Sequence, residues 1–216
     1  MGNREDRMRK TLSRRLSHIT VIAEAIHLRH NLSAILRSAE SFGVQDVHLI
    51  RPKHVKGSSA ARGSERWLDI HAYDSLSDCV STLKEKGFQI WVADLDDNAV
   101  MPEEIPLDKP AAILMGTELT GVSQEARELA TGFIKVSMSG QTQSLNVSVA
   151  TACILYVLTQ RCRQKGQVPY LSSERQEEIL ARWIARDKKN KKSLRKRVEF
   201  MQEKQIEPSS DEDHLD

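Results

Sequence analysis

Three short stretches of this chain place amide, hydroxyl, guanidinium and carboxylate side chains where a helix or a turn begins. Residues 139–149 run polar through Ser144, then become apolar and helix-capable from Val147 through Val149, Ala150, Ala152, Ile154, Leu155 and Tyr156. Ser144 and Asn146 both stand where a helix N-cap belongs. Small polar side chains at such a start leave backbone N–H groups able to face a ligand. Upstream, the run from His30 to Glu40 precedes Phe42-Gly43-Val44 and sets Asn31, another good N-cap, almost two helical turns before Arg37. Mid-chain, Ile113-Leu114-Met115-Gly116-Thr117-Glu118-Leu119-Thr120-Gly121-Val122-Ser123 leaves an apolar strand at a glycine, whose bare backbone a ligand can approach closely. A carboxylate, Glu118, follows in the turn. The chemistry available to these stretches is ligand binding at strand ends and helix starts.

In this order and spacing the three segments resemble the three motifs of the SPOUT-class RNA 2′-O-ribose methyltransferases. The resemblance runs from about Ile19 to about Tyr156. Within the class it is strongest to the branch that acts on guanosine 18 of the tRNA D-loop, to which Gly63-Ser64 before Trp67-Leu68 is also similar. It implies methyl transfer from S-adenosylmethionine to a ribose 2′-hydroxyl. The sulfonium already activates the methyl group. The acceptor is a very weak acid, so the catalyst must remove its proton, align it and exclude water. The implied catalytic positions are Asn31, Arg37, Glu118, Ser144 and Asn146, with Arg37 the candidate for activating the hydroxyl. A guanidinium is effectively always protonated, and two versions stay open. Arg37 is transiently neutral with help from an RNA phosphate, or it stays cationic, holds that phosphate and stabilises oxyanion charge.

The same resemblance places the cofactor on the ends of three strands: Ala93 and Leu95, Met115 and Gly116, and Val136 and Met138 together with Leu145. No G-x-G-x-x-G follows a first strand, in keeping with this class and against a Rossmann-type site. Two departures stand out. Val136-Ser137-Met138 replaces the usual Ile-Pro-Met, which is expected to loosen the loop around adenine. Glu118-Leu119-Thr120-Gly121 stands where many relatives have Glu-Gly-x-Gly. The resemblance further implies a homodimer with its site at the dimer interface and a C-terminal trefoil knot, which periodicity does not predict and general base rates disfavour.

The elements that must position these residues alternate strand and helix, which predicts α/β architecture with a largely parallel sheet. Strands are expected at 18–26, 47–50, 67–72, 88–93, 111–115 and 133–136. Asn31 is expected to open a helix carrying Leu32, Ile35, Leu36 and Ala39 on one face and stopping at Gly43. Further helices are expected at 76–86, at 123–130 with Ser123 as cap, and at 147–163; 51–66 and 94–110 read as loops. The expected organisation is a basic helical extension at 1–17, a methyltransferase domain at 18–165, a basic helical arm at 166–205 and an acidic disordered tail at 206–216. The arm reads as two helices, 173–186 and a highly charged one to about 204.

Composition narrows the class. The 216 residues are 39% hydrophobic and 29% charged, which suits one domain with charged extensions. The net charge of +2 hides two basic arms and an acidic end. Arg9, Lys10, Arg14 and Arg15 in the first arm, and Lys188, Lys189, Lys191, Lys192, Arg195, Lys196 and Arg197 in the second, are the candidate RNA contacts through phosphate neutralisation. Cys79, Cys153 and Cys162 show no C-x-x-C spacing, which argues for a reducing, cytoplasmic setting with no disulfide framework or metal site; Cys153 reads as a core residue. No apolar run is long enough to span a membrane. The flanking basic helices favour tRNA as partner over ribosomal RNA or a wobble position. A catalytically silent RNA-binding protein on the same scaffold is the alternative of a different kind, and cofactor binding separates the two.

Overall fold

Short runs of Val, Ile, Leu and Ala become strands because aliphatic side chains suit a pleat buried on both faces. The computed structural model describes residues 4–26, 28–50, 64–117, 121–164 and 168–205, with side chains of the last helix through Lys189. The strands are β1 (Ile19–Glu24), β2 (Asp46–Ile50), β3 (Asp69–Tyr73), β4 (Gln89–Ala93), β5 (Ala111–Met115) and β6 (Gly132–Ile134). They form one sheet in the order β3-β2-β1-β5-β4-β6, with every pairing parallel. The helices are α1 (Arg4–Leu12), α2 (Arg29–Phe42), α3 (Leu76–Glu85), α4 (Gln124–Leu129), α5 (Val147–Gln164) and α6 (Ser173–Gln205).

Central β1 and β5 are buried along their whole length. Successive side chains alternate between the sheet faces. Val21, Val47 and Ile113 join Ile35 and Leu36 of α2 and Ile154, Leu155 and Leu158 of α5 in one core cluster. Ile22, Val92 and Leu114 join Leu76, Val80 and Leu83 of α3 and Ala126 of α4 in another. Each such Val, Leu or Ile side chain contributes about 1.5–3 kcal/mol on burial, and the two clusters cover both faces of the sheet. From β6 at the sheet edge, residues 135–146 carry the chain back to α5, which packs on α2.

Local signals account for most boundaries. Gly43 ends α2 with φ 88°, a left-handed conformation that favours glycine, and a Cβ there would stand 2.7 Å from Arg163 Nη2. Ser75 Oγ and Ser123 Oγ cap α3 and α4, accepting from Asp78 N–H at 3.1 Å and Ala126 N–H at 3.0 Å.

Several expectations are corrected. α2 begins at Arg29, before Asn31, and its cap position, Leu28, makes no side-chain bond; Asn31 is instead 2% exposed inside the first turn. Residues 64–67 form a 3-10 turn, so β3 starts at Asp69. The last strand is Gly132–Ile134, because Val136 leaves the ladder. The arm is one continuous helix, α6, since no Gly or Pro interrupts 173–205. Cys153 is exposed, whereas Cys79 and Cys162 are buried. The 206–216 tail and most of the 51–66 loop, Gly63 included, lie outside the described residues.

Arg15 is a further correction. It is 1% exposed and unavailable to RNA. Its Nη1 donates to Val44 O at 2.7 Å and Glu40 O at 3.1 Å, its Nη2 donates to Glu40 Oε1 at 2.9 Å, and its guanidinium sits 5.8 Å from the Trp183 ring centre. It ties α1, α2 and α6 together. Met8 and Leu12 of α1 pack beside it with Ile179, Leu180 and Trp183 of α6, and Trp67 meets Trp183 edge-on. Asp69 accepts from Arg175 and Arg182 of α6, each at 2.7 Å. Burial works against the charged form of Asp46, but the 2.7 Å bond from His71 outweighs it together with the nearby positive charges and lowers the pKa. His48 stacks on His71 at 4.9 Å. Burial, with the neighbouring His71 charge, pushes the His48 pKa down to about 4.

Candidate active site

The ends of β4, β5 and β6 and the start of α5 enclose a cleft of about 540 Å³, within the range of small-molecule and cofactor sites. Its floor is assembled by Asn146, which the helix-start pattern singled out. Asn146 Oδ1 accepts from Ser148 N–H at 2.9 Å and Val149 N–H at 3.4 Å, capping α5. Its Nδ2 donates to Asn31 Oδ1 at 3.0 Å, which joins α5 to α2. One amide therefore serves both as cap and as cross-link. Ser144 is exposed, lines the same cleft and is not the cap.

Every residue assigned to the cofactor from the sequence lines this one cleft: Ala93, Leu95, Met115, Gly116, Val136, Met138 and Leu145. At the end of β5 the backbones of Thr117 and Gly121 pair with each other. Thr117 N–H donates to Gly121 O at 2.8 Å and Gly121 N–H returns to Thr117 O at 3.2 Å. Gly121 has φ 68°. A Cβ on Gly116 would stand 2.4 Å from Gly121 C and O, so only glycine at this position lets Gly121 approach the end of β5 so closely. Apolar Val136, Met138, Leu145 and Ile154 form one wall, and Asn31, Ser144, Asn146 and Thr117 supply polar groups. An apolar wall for a flat base beside backbone and amide groups fits S-adenosylmethionine.

Other assigned residues lie elsewhere. Arg37 is exposed on α2 and does not line the cleft. Glu118 lies outside the described residues, as do the side chains of Lys191, Lys192, Arg195, Lys196 and Arg197. Lys10, Arg14, Lys188 and Lys189 are exposed. Arg9 is exposed and pairs with Glu5 at 3.1 Å and Glu177 at 2.5 Å. On α5, Val149, Cys153 and Tyr156 form an exposed stripe at helical spacing, with Tyr156 55% exposed and meeting Phe42 edge-on at 5.9 Å.

Three residues of the cleft region escaped the sequence reading. Glu24, buried at the end of β1, accepts from Ser123 N–H at 3.2 Å and so anchors the start of α4. A carboxylate inside an otherwise apolar strand was its available signal. Asp94 lines the cleft and is ion-paired with Arg127 of α4. Nothing local links that pair. Among the described residues no group of three or more His, Cys, Asp or Glu is placed to hold a metal, and no helix is long and apolar enough to cross a membrane.

Comparison with known proteins gives a consistent set of matches. The model of the SpoU rRNA methylase family matches residues 18–156. The tRNA (guanosine(18)-2′-O)-methyltransferase of Escherichia coli (strain K12) is 45% identical over 162 residues, covering 74% of this chain and 70% of the relative. The protein of the same name from Thermus thermophilus is 39% identical over 186 residues, covering 84% and 95%. The crystal structure of the Aquifex aeolicus TrmH/SpoU tRNA modifying enzyme superposes with a TM-score of 0.76 at 35% identity, covering 85% of this chain and 96% of that one.

Proposed function

The chain belongs to the SpoU rRNA methylase family, and from that premise we propose that it methylates the ribose 2′-hydroxyl of guanosine 18 in tRNA with S-adenosylmethionine. The observation that carries the reading is the cleft itself, in which all seven residues assigned to the cofactor meet the cross-linked pair Asn31–Asn146. Two relatives that align over most of this chain, at 45% and 39% identity, are named for that reaction, which supports guanosine 18 as the target.

S-adenosylmethionine, when bound, supplies an activated methyl group. The chain's residues supply the rest. Val136, Met138, Leu145 and Ile154 take the adenine against their apolar wall, and the backbone from Ala93 to Leu95 and at Met115-Gly116 meets its polar edge. The close approach of Gly121 to Gly116 narrows the cleft at the end of β5 against water. Asn31, Ser144 and Asn146 orient the acceptor ribose. Glu118 braces the hydrogen-bond network. Arg37 holds an RNA phosphate and activates the 2′-hydroxyl, as a cationic stabiliser or as the proton acceptor.

Because Arg37 is exposed and outside the cleft of its own chain, this reading needs a homodimer. A second copy seated on the α2–α5 face covers Val149, Cys153 and Tyr156 and brings an arginine of one copy to the cleft of the other. The family resemblance also supports a C-terminal trefoil knot, in which the last core helix, α5, passes through a loop. The exposed Lys10, Arg14, Lys188 and Lys189 flank the core and take the tRNA backbone in the cytoplasm.

The test is methyl transfer from labelled S-adenosylmethionine to an unmodified tRNA transcript, with the product nucleoside mapped by mass spectrometry and Arg37→Ala run alongside. A 2′-O-methylguanosine in the D-loop that disappears in the variant is expected. Methylation of ribosomal RNA alone sinks the tRNA assignment, and absence of cofactor binding sinks the enzyme reading.

A further inference from the structure

Resting on the methyltransferase reading above, we propose that Asp94 binds the ribose hydroxyls of the cofactor and that Arg127 is its positioning residue. Asp94 stands at the C-terminal end of β4, where its N–H donates to Ile134 O at 3.1 Å and so holds its backbone against β6. Its side chain is 14% exposed and lines the cleft. Among the described lining residues it is the one carboxylate.

The two oxygens are in different surroundings. Oδ2 is buried and ion-paired with Arg127 Nη2. The guanidinium is fixed in turn by Asp96, whose Oδ2 lies 3.4 Å from Nη1, and by the Phe133 ring, whose centre lies 5.8 Å away. Arg127 belongs to α4, so the bridge ties that helix to the residues that follow β4. Oδ1 has no hydrogen-bond partner among the described residues. A carboxylate is an acceptor only, so a ligand at Asp94 must bring donors. Of the chemical groups on S-adenosylmethionine, the ribose diol brings two O–H donors on adjacent carbons. With adenine on the apolar wall of Val136, Leu145 and Ile154, the diol, which is attached next to the base, is the donor pair we assign to the carboxylate at the end of β4 rather than the more distant ammonium. From the stretch Val92-Ala93-Asp94-Leu95 the family resemblance assigned Ala93 and Leu95 to the cofactor, through backbone and apolar contacts, and gave the Asp94 carboxylate no part.

The experiment is calorimetric titration of the full chain, wild type and the variants Asp94→Asn and Asp94→Ala, with three probes: S-adenosylmethionine, 5′-methylthioadenosine and the 2′,3′-dideoxy analogue of the latter. Loss of a hydrogen bond to a charged group predicts affinity for the first two falling roughly 10- to 100-fold, with the dideoxy analogue bound alike by all three proteins. Arg127→Met is expected to shift the same two affinities in the same direction by a smaller factor, again sparing the dideoxy analogue. Thermal melts of each variant separate misfolding from lost contact. Equal affinity of wild type and variants for 5′-methylthioadenosine overturns the proposal, as does a loss confined to S-adenosylmethionine, which would assign Asp94 to the ammonium group. A wild type that binds no S-adenosylmethionine removes the underlying methyltransferase reading instead.

Discussion

Replacing Arg15 by alanine should weaken the fold and leave the intrinsic RNA contacts of the arms untouched. Arg15 is 1% exposed, so water screens its interactions little. It makes three hydrogen bonds, at 2.7, 2.9 and 3.1 Å, to two carbonyls and one carboxylate. Breaking a buried ion pair typically costs about 3–5 kcal/mol. Here the Glu40 side chain is 27% exposed and regains some hydration, which places the expected loss near the lower end, about 3 kcal/mol. For a chain of this size each kcal/mol moves the melting temperature by roughly 2–4 °C, so Arg15→Ala should melt about 6–12 °C lower. Arg15→Lys keeps the charge but not the planar fork that serves Glu40 and Val44 together, and should recover only part of that loss. Lys10→Ala, at an exposed position on the same segment, should melt like the wild type. The assay pairs circular-dichroism melts with tRNA binding at several salt concentrations below the melting range. A phosphate contact removed should flatten the salt dependence of binding. If Arg15→Ala melts with the wild type and flattens that slope, then Arg15 is an RNA contact and its burial between α1, α2 and α6 is the wrong account.

Gly116→Ala would put a Cβ 2.4 Å from Gly121 C and O and 2.5 Å from Val122 N, all backbone atoms unable to step aside; about 1–3 kcal/mol of strain should push Gly121 away from the end of β5 and cut S-adenosylhomocysteine affinity tenfold or more by calorimetry, and unchanged affinity would remove the Gly116–Gly121 contact from the cofactor site. Asn31→Ala and Asn146→Ala should couple by about 0.5–1.5 kcal/mol in a double-mutant cycle on urea stability, reflecting their 3.0 Å bond; strict additivity would mean the bond contributes nothing. His48 titrates near 4 in the fold against 6.5 unfolded, so the unfolded chain binds more protons between those values. The His48 contribution to stability is therefore full above pH 6.5 and falls as pH drops toward 4, by about 3 kcal/mol in all. His48→Gln should flatten that part of the urea-stability profile, and an equally steep profile in the variant would assign the loss to another group. Neutralising Lys188, Lys189, Lys191, Lys192, Arg195, Lys196 and Arg197 to glutamine should weaken tRNA binding and flatten its salt dependence without altering cofactor affinity; an unchanged slope would take the RNA role from this arm.

Features that depend on neighbours a few residues away could be read directly from the chain. Apolar spacing through Leu32, Ile35, Leu36 and Ala39, the stop at Gly43, the cap at Ser123 and the polar-to-apolar break at Asn146 are local rules, and each stands in the fold. Because strand ends follow from local patterns, and because three motifs could be matched in order, the seven residues assigned to the cofactor could be named before the fold brought them to one cleft. Tertiary structure alone decided which face of each element is covered. Asn31 looked like a cap, yet its partner is Asn146, 115 residues away. Arg15 reads as one more cation in a basic arm until α1, α2 and α6 close around it. Cys153 sits at an apolar helical spacing, but the core takes the opposite side of α5. The Asp94–Arg127 pair and the bond from Ser123 to Glu24 join segments that carry no mark of one another. The physical reason is the same throughout: secondary structure is chosen by short-range sterics and hydrogen bonding, whereas burial and ion pairing of a given side chain depend on which distant element the sheet order brings beside it.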